Sequence, residues 1–483
     1  MGILKKITAK KFSFHQIFYL VIAITSVRII VEWTLFYFPI RINVFQDYAR
    51  FYLENVYYFL ILFLVGGAFL SRMTRNKLLT VMNFGVKIYP VIILPPLIDG
   101  LLLGRRQGYF YATARNFWGN FFTLAFWQGD ASLGISLEIF LGLLFVSGYV
   151  FYITKNWIKS FFTFFILDLF LVILSTPELF FGHGRDDYYF NNFLPLYYFL
   201  PFIMFAGSFL FIYDKNKFWA ILRNTRPVRT SVFLIAVFLG GWARYLTTGF
   251  VDLFTLTLGS SVVFFIWQVS VIVNDIYDID IDRLHNVKRP LVCQAVTIAE
   301  YKFLASLLSF LALSAGLVIS WKVFLLTVFV LGLALAYSLP PIRLRKNFLG
   351  HALIGVSLFA AYLMGIFSSA YTYVFKNNVL ILGVLISLFG MGLTLAKDIK
   401  DIDGDKKEGV INMFTLFGKK NGKRVTSGFI FAILNIPSVM FAQVKIFLLS
   451  LVAVYLFQKY ESIKAVYLIG AAVILLTVKQ MFL

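Results

Sequence analysis

The sequence is poor in charge, in histidine and in cysteine. Only 14% of its 483 residues are charged, whereas an average soluble domain has about 25% charged residues. Its single cysteine, Cys293, excludes a disulfide within the chain. The four histidines, at positions 15, 183, 285 and 351, have none of the spacings typical of zinc sites. These shortages argue against a soluble domain, a disulfide-stabilised fold and a zinc protein.

Acidic residues are scarce as well. The chain has 23 acidic and 44 basic residues, which gives a formal net charge of +21. Such an excess can indicate a nucleic-acid surface, but 60% of the residues are hydrophobic. In so apolar a chain we interpret the basic residues as cytoplasmic loops beside anionic lipid. The predicted partner is therefore the lipid bilayer, and no nucleic acid is expected.

Apolar runs of about 18 residues or more recur along the whole chain. They predict an all-α polytopic membrane protein, because a membrane β-barrel would show alternating polarity instead. Six spans are predicted first, at residues 14–38, 52–70, 78–103, 132–154, 157–176 and 194–213. Nine more are predicted after them, at residues 230–247, 253–273, 302–320, 322–338, 350–370, 378–396, 425–442, 444–457 and 463–481. We therefore expect an N-terminal multi-span domain of unknown role at 1–213, a basic linker at 214–229 and a nine-helix domain at 230–483.

Basic clusters between the spans predict the orientation of the chain. They lie before the first span, after the second, after the fourth and in the linker after the sixth. Cytoplasmic loops of membrane proteins are enriched in lysine and arginine, so the linker and the N-terminus are expected to be cytoplasmic. Counting spans from there brings Asn274, Tyr337 and Asp398 out on the same, cytoplasmic side of the membrane.

The first six spans contain charged residues that no motif explains. Arg28 and Glu32 are four residues apart within one span, so they share a helix face and can form an ion pair. Further ionisable residues within or at the ends of these spans are Lys87, Asp99, Glu138 and Asp168. Such groups are costly in a bilayer and usually face a partner or a cavity. Two interpretations stay open: ion pairs that hold the bundle together, and a lipid-binding or second catalytic site.

Two short acidic clusters share one spacing. Carboxylates at positions i, i+3 and i+7 of a helix lie on one face. The residues in this pattern are Asp275, Asp278 and Asp282 in the first cluster and Asp398, Asp401 and Asp405 in the second. Six converging carboxylates would repel one another unless cations neutralised them, and Mg²⁺ prefers such oxygen ligands. The sequence therefore predicts one Mg²⁺ site built from both clusters, with Asp280 and Asp403 pointing elsewhere.

Basic residues accompany both clusters. Lys288 and Arg289 follow the first cluster, and Lys397 precedes the second. Carboxylates, a divalent cation and basic side chains together form the arrangement expected around a diphosphate group. The alternative is a pair of solvated acidic loops at helix ends, which the matched spacing of the two clusters disfavours.

These residues resemble the motifs of the UbiA-type intramembrane prenyltransferases. The two aspartate motifs correspond to Asn274-Asp275-x-x-Asp278-x-x-x-Asp282 and Asp398-x-x-Asp401-x-x-x-Asp405. Arg289-Pro290-Leu291 resembles the element after the first motif, and Tyr337-Ser338-Leu339-Pro340-Pro341-x-Arg343-Leu344-Arg345 resembles the element after the fourth span of the family fold. The resemblance covers about residues 218–483 and leaves 1–213 without a counterpart.

The resemblance implies a nine-helix UbiA-like bundle and a Mg²⁺-dependent prenyltransferase. Such an enzyme moves a prenyl group from a prenyl diphosphate donor to a hydrophobic acceptor, which is aromatic or lipid-like. By position in the motifs, the implied metal ligands are Asp275, Asp278, Asp282, Asp398, Asp401 and Asp405, and the catalytic set is Asp275, Asp278, Asp398 and Asp401. The implied substrate-binding residues are Asn274, Arg289, Tyr337, Ser338, Arg343, Arg345 and Lys397. Arg226 is a weaker candidate for the diphosphate.

Three other functions stay open. A CDP-alcohol phosphotransferase would need Asp-Gly followed by Ala-Arg, whereas Asp403-Gly404 is followed by Asp405-Lys406. A transporter or a lipid-binding protein without prenyl transfer could use the charged residues of the first spans. Transport sites lie near the midplane of the membrane, however, and these acidic clusters lie at the ends of spans. Another metal-dependent membrane transferase is the third alternative.

Overall fold

The computed structural model shows a helical chain wherever the protein is described. The described residues are 11–36, 45–105, 111–126, 131–181, 187–285, 287–368, 376–400 and 402–482, and within them the backbone forms no β-strand. The chain divides into two compact units, which we call unit 1 (Met1–Trp219) and unit 2 (Ala220–Leu483). Thirteen helices among the described residues are long and apolar enough to cross a membrane. The prediction of an all-α polytopic fold is confirmed.

In its described segments, unit 1 has six long helices and two short ones. In chain order they are α1 (Phe14–Phe36), α2 (Phe45–Thr74), α3 (Leu78–Leu102), α4 (Phe117–Thr123), α5 (Leu133–Thr154), α6 (Trp157–Ser175), α7 (Glu178–Phe181) and α8 (Asp187–Tyr213). The middle of α3 tightens into a 3₁₀ helix at Tyr89–Ile93, and its end widens into a π-helix at Leu97–Leu102. Pro90 and the Pro95-Pro96 pair cause this irregularity, because proline lacks the N–H that an α-helix needs.

Aromatic and charged contacts stabilise unit 1. The helices α2 and α8 pack against each other, and the ring of Tyr57 stacks on that of Phe202 with 5.5 Å between their centroids. The expected pair within α1 is present, since Nη1 of Arg28 lies 3.6 Å from Oε2 of Glu32. Both side chains are buried.

Among its described residues, unit 2 contains nine long helices, and eight of them are long and apolar enough to cross a membrane. A short helix, α9 (Lys215–Arg223), crosses the boundary between the units. The helices that follow are α10 (Pro227–Thr248), α11 (Leu253–Tyr277), α12 (Ile279–His285), α13 (Ile298–Ile319), α14 (Trp321–Ser338), α15 (Leu349–Phe367), α16 (Asn377–Lys397), α17 (Ile402–Glu408), α18 (Met413–Phe441), α19 (Val444–Tyr460) and α20 (Ile463–Phe482). As its sequence predicts, α10 begins at Pro227, whose missing N–H costs nothing at the first helical position.

Small residues let the helices of unit 2 approach closely. The helices α10 and α15 pack against each other through Gly240 and Gly365. A Cβ atom at Gly240 would overlap the carbonyl oxygen of Tyr362, and one at Gly365 would overlap that of Val237. Close backbone approach at small residues is how helices associate in lipid, where burial of apolar surface gives little driving force.

The polar motifs lie where the helices of unit 2 end. The helix α11 ends at Tyr277 with Asp278 as its C-cap, and α16 ends at Lys397 with Asp398 as its C-cap. The helix α14 ends at Ser338, before the segment that carries Arg343. The aspartates of the first cluster therefore occupy the last turn of α11, its cap and α12, where the sequence alone predicts one helical face.

Candidate active site

Asp275 is the most enclosed carboxylate of the site. It lies in the last turn of α11, and its side chain is fully buried. It accepts hydrogen bonds from Nη2 of Arg226 at 2.7 Å, Nη1 of Arg289 at 2.6 Å and Nδ2 of Asn224 at 2.6 Å. The donors come from the segment before α10 and from the loop after α12. Burial lowers the pKa of Arg226 to about 10, which the charge of Asp275 opposes, so the guanidinium is cationic at neutral pH.

Asp278 has a second pair of arginines. It accepts a hydrogen bond from Nη2 of Arg343 at 2.8 Å, and Arg345 donates to its other oxygen. Asn274, one turn earlier, donates to it at 2.6 Å. Asp278 is buried, and burial raises the pKa of its carboxyl group while the guanidinium groups of Arg345 and Arg343 oppose that rise. The segment after α14 thus reaches the end of α11.

The remaining acidic residues of the first cluster differ in burial. Asp282 is buried, and its Oδ2 lies 3.9 Å from Nε of Arg289. Asp280 has a side chain that is 87% exposed and pairs with Arg283. As the sequence predicts, Asp282 faces the site and Asp280 faces away from it.

The second cluster is described in part. Asp398 pairs with His351 of α15, with 2.7 Å between Nε2 and Oδ2. Asp405 accepts a hydrogen bond from Nδ2 of Asn412 at 2.7 Å, and Asn412 in turn caps α18. Lys397 is half-buried at the end of α16. Asp401, a predicted metal ligand, lies outside the described residues.

Tyr337 lies at the end of α14, within electrostatic range of Arg345, Asp398 and Asp278. It is therefore near residues of both aspartate clusters. The neighbouring Ser338 is buried, and no hydrogen-bond partner within the described part of the chain reaches its hydroxyl group.

The side chains of the site fit a hard divalent cation that binds together with an anion. Within the described ranges, no three acidic, histidine or cysteine side chains already form a metal-binding group. Four of the described carboxylates, those of Asp275, Asp278, Asp398 and Asp405, are paired instead with a guanidinium, an amide or an imidazole group. Oxygen donors of this kind suit Mg²⁺, which binds through a few carboxylates and phosphate oxygens.

The sequence did not identify two residues of the site. Asn224 donates to Asp275 from the turn after α9, and it lies in a basic stretch where nothing marks it as special. His351 is one of four scattered histidines and lies on an otherwise apolar helix. The sequence signal that could have identified His351 is its position six residues after Arg345. That spacing places it in the first turn of α15, close to the segment that carries the arginines. Arg226, the weaker candidate, donates a hydrogen bond to Asp275.

Comparison with known proteins assigns the chain to a family. A model described as the UbiA prenyltransferase family matches residues 233–469, which lie within unit 2. The digeranylgeranylglyceryl phosphate synthase of Methanococcus maripaludis is 32% identical over 227 residues, a match that covers 46% of this chain and 77% of that protein. The chain belongs to the UbiA prenyltransferase family. It is an integral-membrane prenyltransferase that moves a prenyl group from a prenyl diphosphate to an aromatic or lipid-like acceptor.

Two further family relatives are more distant. The homogentisate phytyltransferase of Synechocystis sp. is 27% identical over 233 residues, which covers 44% of this chain and 71% of that protein. A solved UbiA homologue from Archaeoglobus fulgidus, bound to DMAPP and Mg²⁺, is 18% identical with a TM-score of 0.43, and the match covers 54% of this chain and 98% of that chain.

Proposed function

We propose that the residues around Asp275 and Asp278 bind the diphosphate of the prenyl donor together with Mg²⁺. The observation that supports this proposal is the convergence of four arginines on two buried aspartates. The arginines are Arg226, Arg289, Arg343 and Arg345. Guanidinium groups recognise both carboxylate and phosphate oxygens through paired hydrogen bonds. The four arginines that bind the carboxylates can therefore also bind a diphosphate.

The aspartates and arginines exchange partners when the substrate binds. In the structure the arginines pair with Asp275 and Asp278. The diphosphate would accept hydrogen bonds from these arginines, and the two carboxylates would then be available to hold Mg²⁺. The residues that would hold Mg²⁺ are Asp275, Asp278, Asp282, Asp398, Asp401 and Asp405. A metal ion held there would supply neutralisation of the negative charge that develops on the departing diphosphate.

The bond between the allylic carbon and the diphosphate oxygen breaks, and both electrons leave with the oxygen. The arginines stabilise the leaving group in the same positions in which they bind the substrate, so little reorganisation is needed. The acceptor forms the new bond to the allylic carbon and releases a proton. We place Tyr337 in the wall of the prenyl pocket with Ser338, because it is within electrostatic range of both clusters. Asn274 and Lys397 support the diphosphate end in this proposal.

The aspartate motifs and the N-terminus face the cytoplasm in this proposal. The basic stretch at 214–229 supports it, because two spans separate that stretch from Asn274 and cytoplasmic loops are enriched in lysine and arginine. The proposed domain boundaries are those of the sequence, with the reaction in 230–483. The acceptor is a hydrophobic molecule that reaches the site from the bilayer.

The test is incubation of the purified full-length protein with a labelled prenyl diphosphate and a lipid extract. We expect release of diphosphate that depends on Mg²⁺, together with a prenylated lipid or aromatic product that mass spectrometry identifies. Asp401→Asn tests the ligand outside the described residues and should lose nearly all of the activity. Full activity in the presence of a chelator would refute the proposed site. Full activity in both single variants, Asp401→Asn and Asp278→Asn, would refute it as well.

A second test concerns the orientation. Residues 288 and 406 carry exposed lysines near the two clusters. A cysteine at either position should react with a membrane-impermeant maleimide from the cytoplasmic side alone, in a background from which Cys293 has been removed. Labelling of the two positions from opposite sides would refute a shared site.

A further inference from the structure

Unit 1 contains a cavity of about 320 Å³ that prenyl transfer in unit 2 does not involve. Its walls come mainly from α2, α3, α5 and α6, with Arg28 from α1, and are mostly apolar. The volume lies at the lower end of the range of about 300–1,000 Å³ for small-molecule sites. Gly66 and Gly142 line the cavity, and a Cβ atom at either residue would meet nothing within 4 Å. The cavity can therefore hold the apolar body of a lipid-like molecule.

The polar groups of the cavity lie at one end of it. They include Arg28 near the end of α1, Asn55 and Tyr58 in the first half of α2, Glu138 near the start of α5, and Ser175 at the end of α6. These positions meet at one end of the bundle, because α1 and α6 end there and α2 and α5 begin there. A ligand in this cavity would thus have one polar head and one apolar body.

The guanidinium group of Arg28 is already bonded. Its Nε donates to the carbonyl oxygen of Ile92 at 3.0 Å, and its Nη1 donates to Oδ1 of Asn55 at 3.2 Å. Glu32, which is buried beside it, is its ion-pair partner. The charge of Arg28 is therefore neutralised within the protein.

Two oxygen acceptors at the polar end lack a donor among the described residues. Glu138 lines the cavity within electrostatic range of Arg28, and no hydrogen bond from the described residues reaches its carboxylate. Ser175 donates its proton to the carbonyl oxygen of Leu171 at 2.8 Å. The hydroxyl of Tyr58 must then be the donor in its 2.8 Å contact with Ser175, which leaves the Tyr58 oxygen as an acceptor. A carboxylate that faces an apolar cavity is costly unless a donor reaches it.

We propose that this cavity binds an uncharged lipid whose head is a hydroxyl group. The hydroxyl donates a hydrogen bond to the Glu138 carboxylate, and the hydrocarbon body lies among the apolar walls. An anionic head is disfavoured because it would lie beside the Glu138 carboxylate, while Arg28 is already paired with Glu32. A hydroxyl donor brings no charge that would need a further counter-ion in apolar surroundings. The proposal does not rest on the function of unit 2, since it concerns binding alone.

The experiment uses the full-length protein in lipid nanodiscs and four photoreactive probes. The probes share one diazirine-bearing hexadecyl chain and end in a hydroxyl, a phosphate, an amine or a methyl group. We expect the alcohol to label peptides of α2 and α5 about tenfold more than the phosphate or the methyl probe, a ratio that corresponds to one hydrogen bond to a charged group. Unlabelled hexadecanol should compete with it. Equal labelling by all four probes, or preference for the phosphate or the amine, would overturn the proposal.

Two glycines of α5 provide a matched pair of variants. Gly142→Leu fills the cavity, whereas Gly148→Leu adds the same side chain at an exposed position of the same helix that does not line the cavity. Labelling by the alcohol should fall about tenfold in Gly142→Leu and stay unchanged in Gly148→Leu. Gly66→Leu fills the cavity from α2 and should repeat the loss. Equal loss in Gly142→Leu and Gly148→Leu, or no loss in either cavity variant, would contradict the site.

Glu138→Leu tests the polar contact separately from folding. The variant removes the carboxylate, so the preference for the alcohol over the methyl probe should disappear while labelling by the methyl probe persists. This ratio is measured within one protein sample, and misfolding would abolish both signals rather than equalise them. A preference for the alcohol that survives Glu138→Leu would overturn the assigned hydrogen bond.

Discussion

The two units place charge in apolar surroundings in opposite ways. Around Asp275 and Asp278 in unit 2, arginines supply most of the hydrogen bonds and outnumber those two carboxylates. At the polar end of the cavity in unit 1, the carboxylates of Glu32 and Glu138 accompany one arginine. The first arrangement can accept an anion because its cations can exchange partners. The arrangement in unit 1 presents hydrogen-bond acceptors, so it suits a ligand that donates a hydrogen bond.

The largest effect is expected from a variant that disrupts the site around Asp275 and Asp278. Asp278→Asn removes a carboxylate that two arginines bind, while it keeps the shape of the side chain. We expect kcat for diphosphate release to fall about 100-fold or more, the size of effect seen when one group that stabilises transition-state charge is removed. The measurement is a steady-state assay with a labelled prenyl diphosphate.

Asp280→Asn is the control for this variant. It makes the same chemical change two residues away, at a side chain that is 87% exposed. Its activity should stay within the error of the wild-type value. Similar losses in Asp278→Asn and Asp280→Asn would mean that charge in the whole loop, rather than the buried carboxylate, supports the reaction.

The next effect concerns stability and belongs to unit 1. Glu32→Gln leaves Arg28 buried without its ion-pair partner. Breaking a buried pair by removing one member costs about 3 kcal/mol or more, so the midpoint of thermal unfolding in detergent should fall clearly. Asp47→Asn breaks the Asp47–Arg50 pair, in which the aspartate is 61% exposed, and should leave the midpoint unchanged. A midpoint that Glu32→Gln does not lower would show that the pair has no structural role.

A smaller effect is expected from Arg289→Lys. The substitution keeps the positive charge and removes the planar group that reaches both Asp275 and Asp282. Loss of one hydrogen bond between charged groups, about 1.5 kcal/mol, should raise KM for the prenyl diphosphate about tenfold. Arg283→Lys, on the exposed partner of Asp280, should leave KM unchanged. If both variants raise KM equally, the diphosphate senses only the net charge of the region.

The smallest expected effect comes from His351. His351→Leu removes the imidazole that holds Asp398, and the loss of one hydrogen bond of about 1 kcal/mol should lower kcat about fivefold. The Mg²⁺ concentration for half-maximal activity should rise with it, because Asp398 is a proposed metal ligand. His351→Gln keeps a donor and should recover part of both values. An unchanged Mg²⁺ dependence in His351→Leu would assign the residue to packing alone.

The sequence predicted the fold well, because long apolar runs can form only helices in lipid. It also identified Asp275, Asp278, Arg289, Arg343 and Arg345, which the structure brings together. Spacing along one helix predicted which aspartates share a face. It could not show the break at Asp278, where α11 ends and α12 begins, because the residues that contact Asp278 there, Arg343 and Arg345, are distant in the sequence.

Residues that act through tertiary contacts could not be predicted from spacing along the sequence. His351 and Asn224 have no spacing or composition that marks them, and each becomes recognisable only through the aspartate it touches. The same holds for the cavity of unit 1. Its charged residue Glu138 was visible in the sequence, but the sequence allowed both an ion pair and a binding site. The structure leaves Glu138 facing the cavity without a donor from the described residues.

Binding of a divalent cation with and without a donor analogue tests the exchange of partners most directly. Mn²⁺ can replace Mg²⁺ as a paramagnetic probe, and a prenyl thiolodiphosphate binds without releasing its leaving group readily. Because arginines pair with Asp275 and Asp278, we expect weak Mn²⁺ binding alone and binding at least about tenfold tighter with the analogue. By reciprocity, Mn²⁺ should tighten binding of the analogue by the same factor. Equal Mn²⁺ affinity in the presence and absence of the analogue would contradict the account.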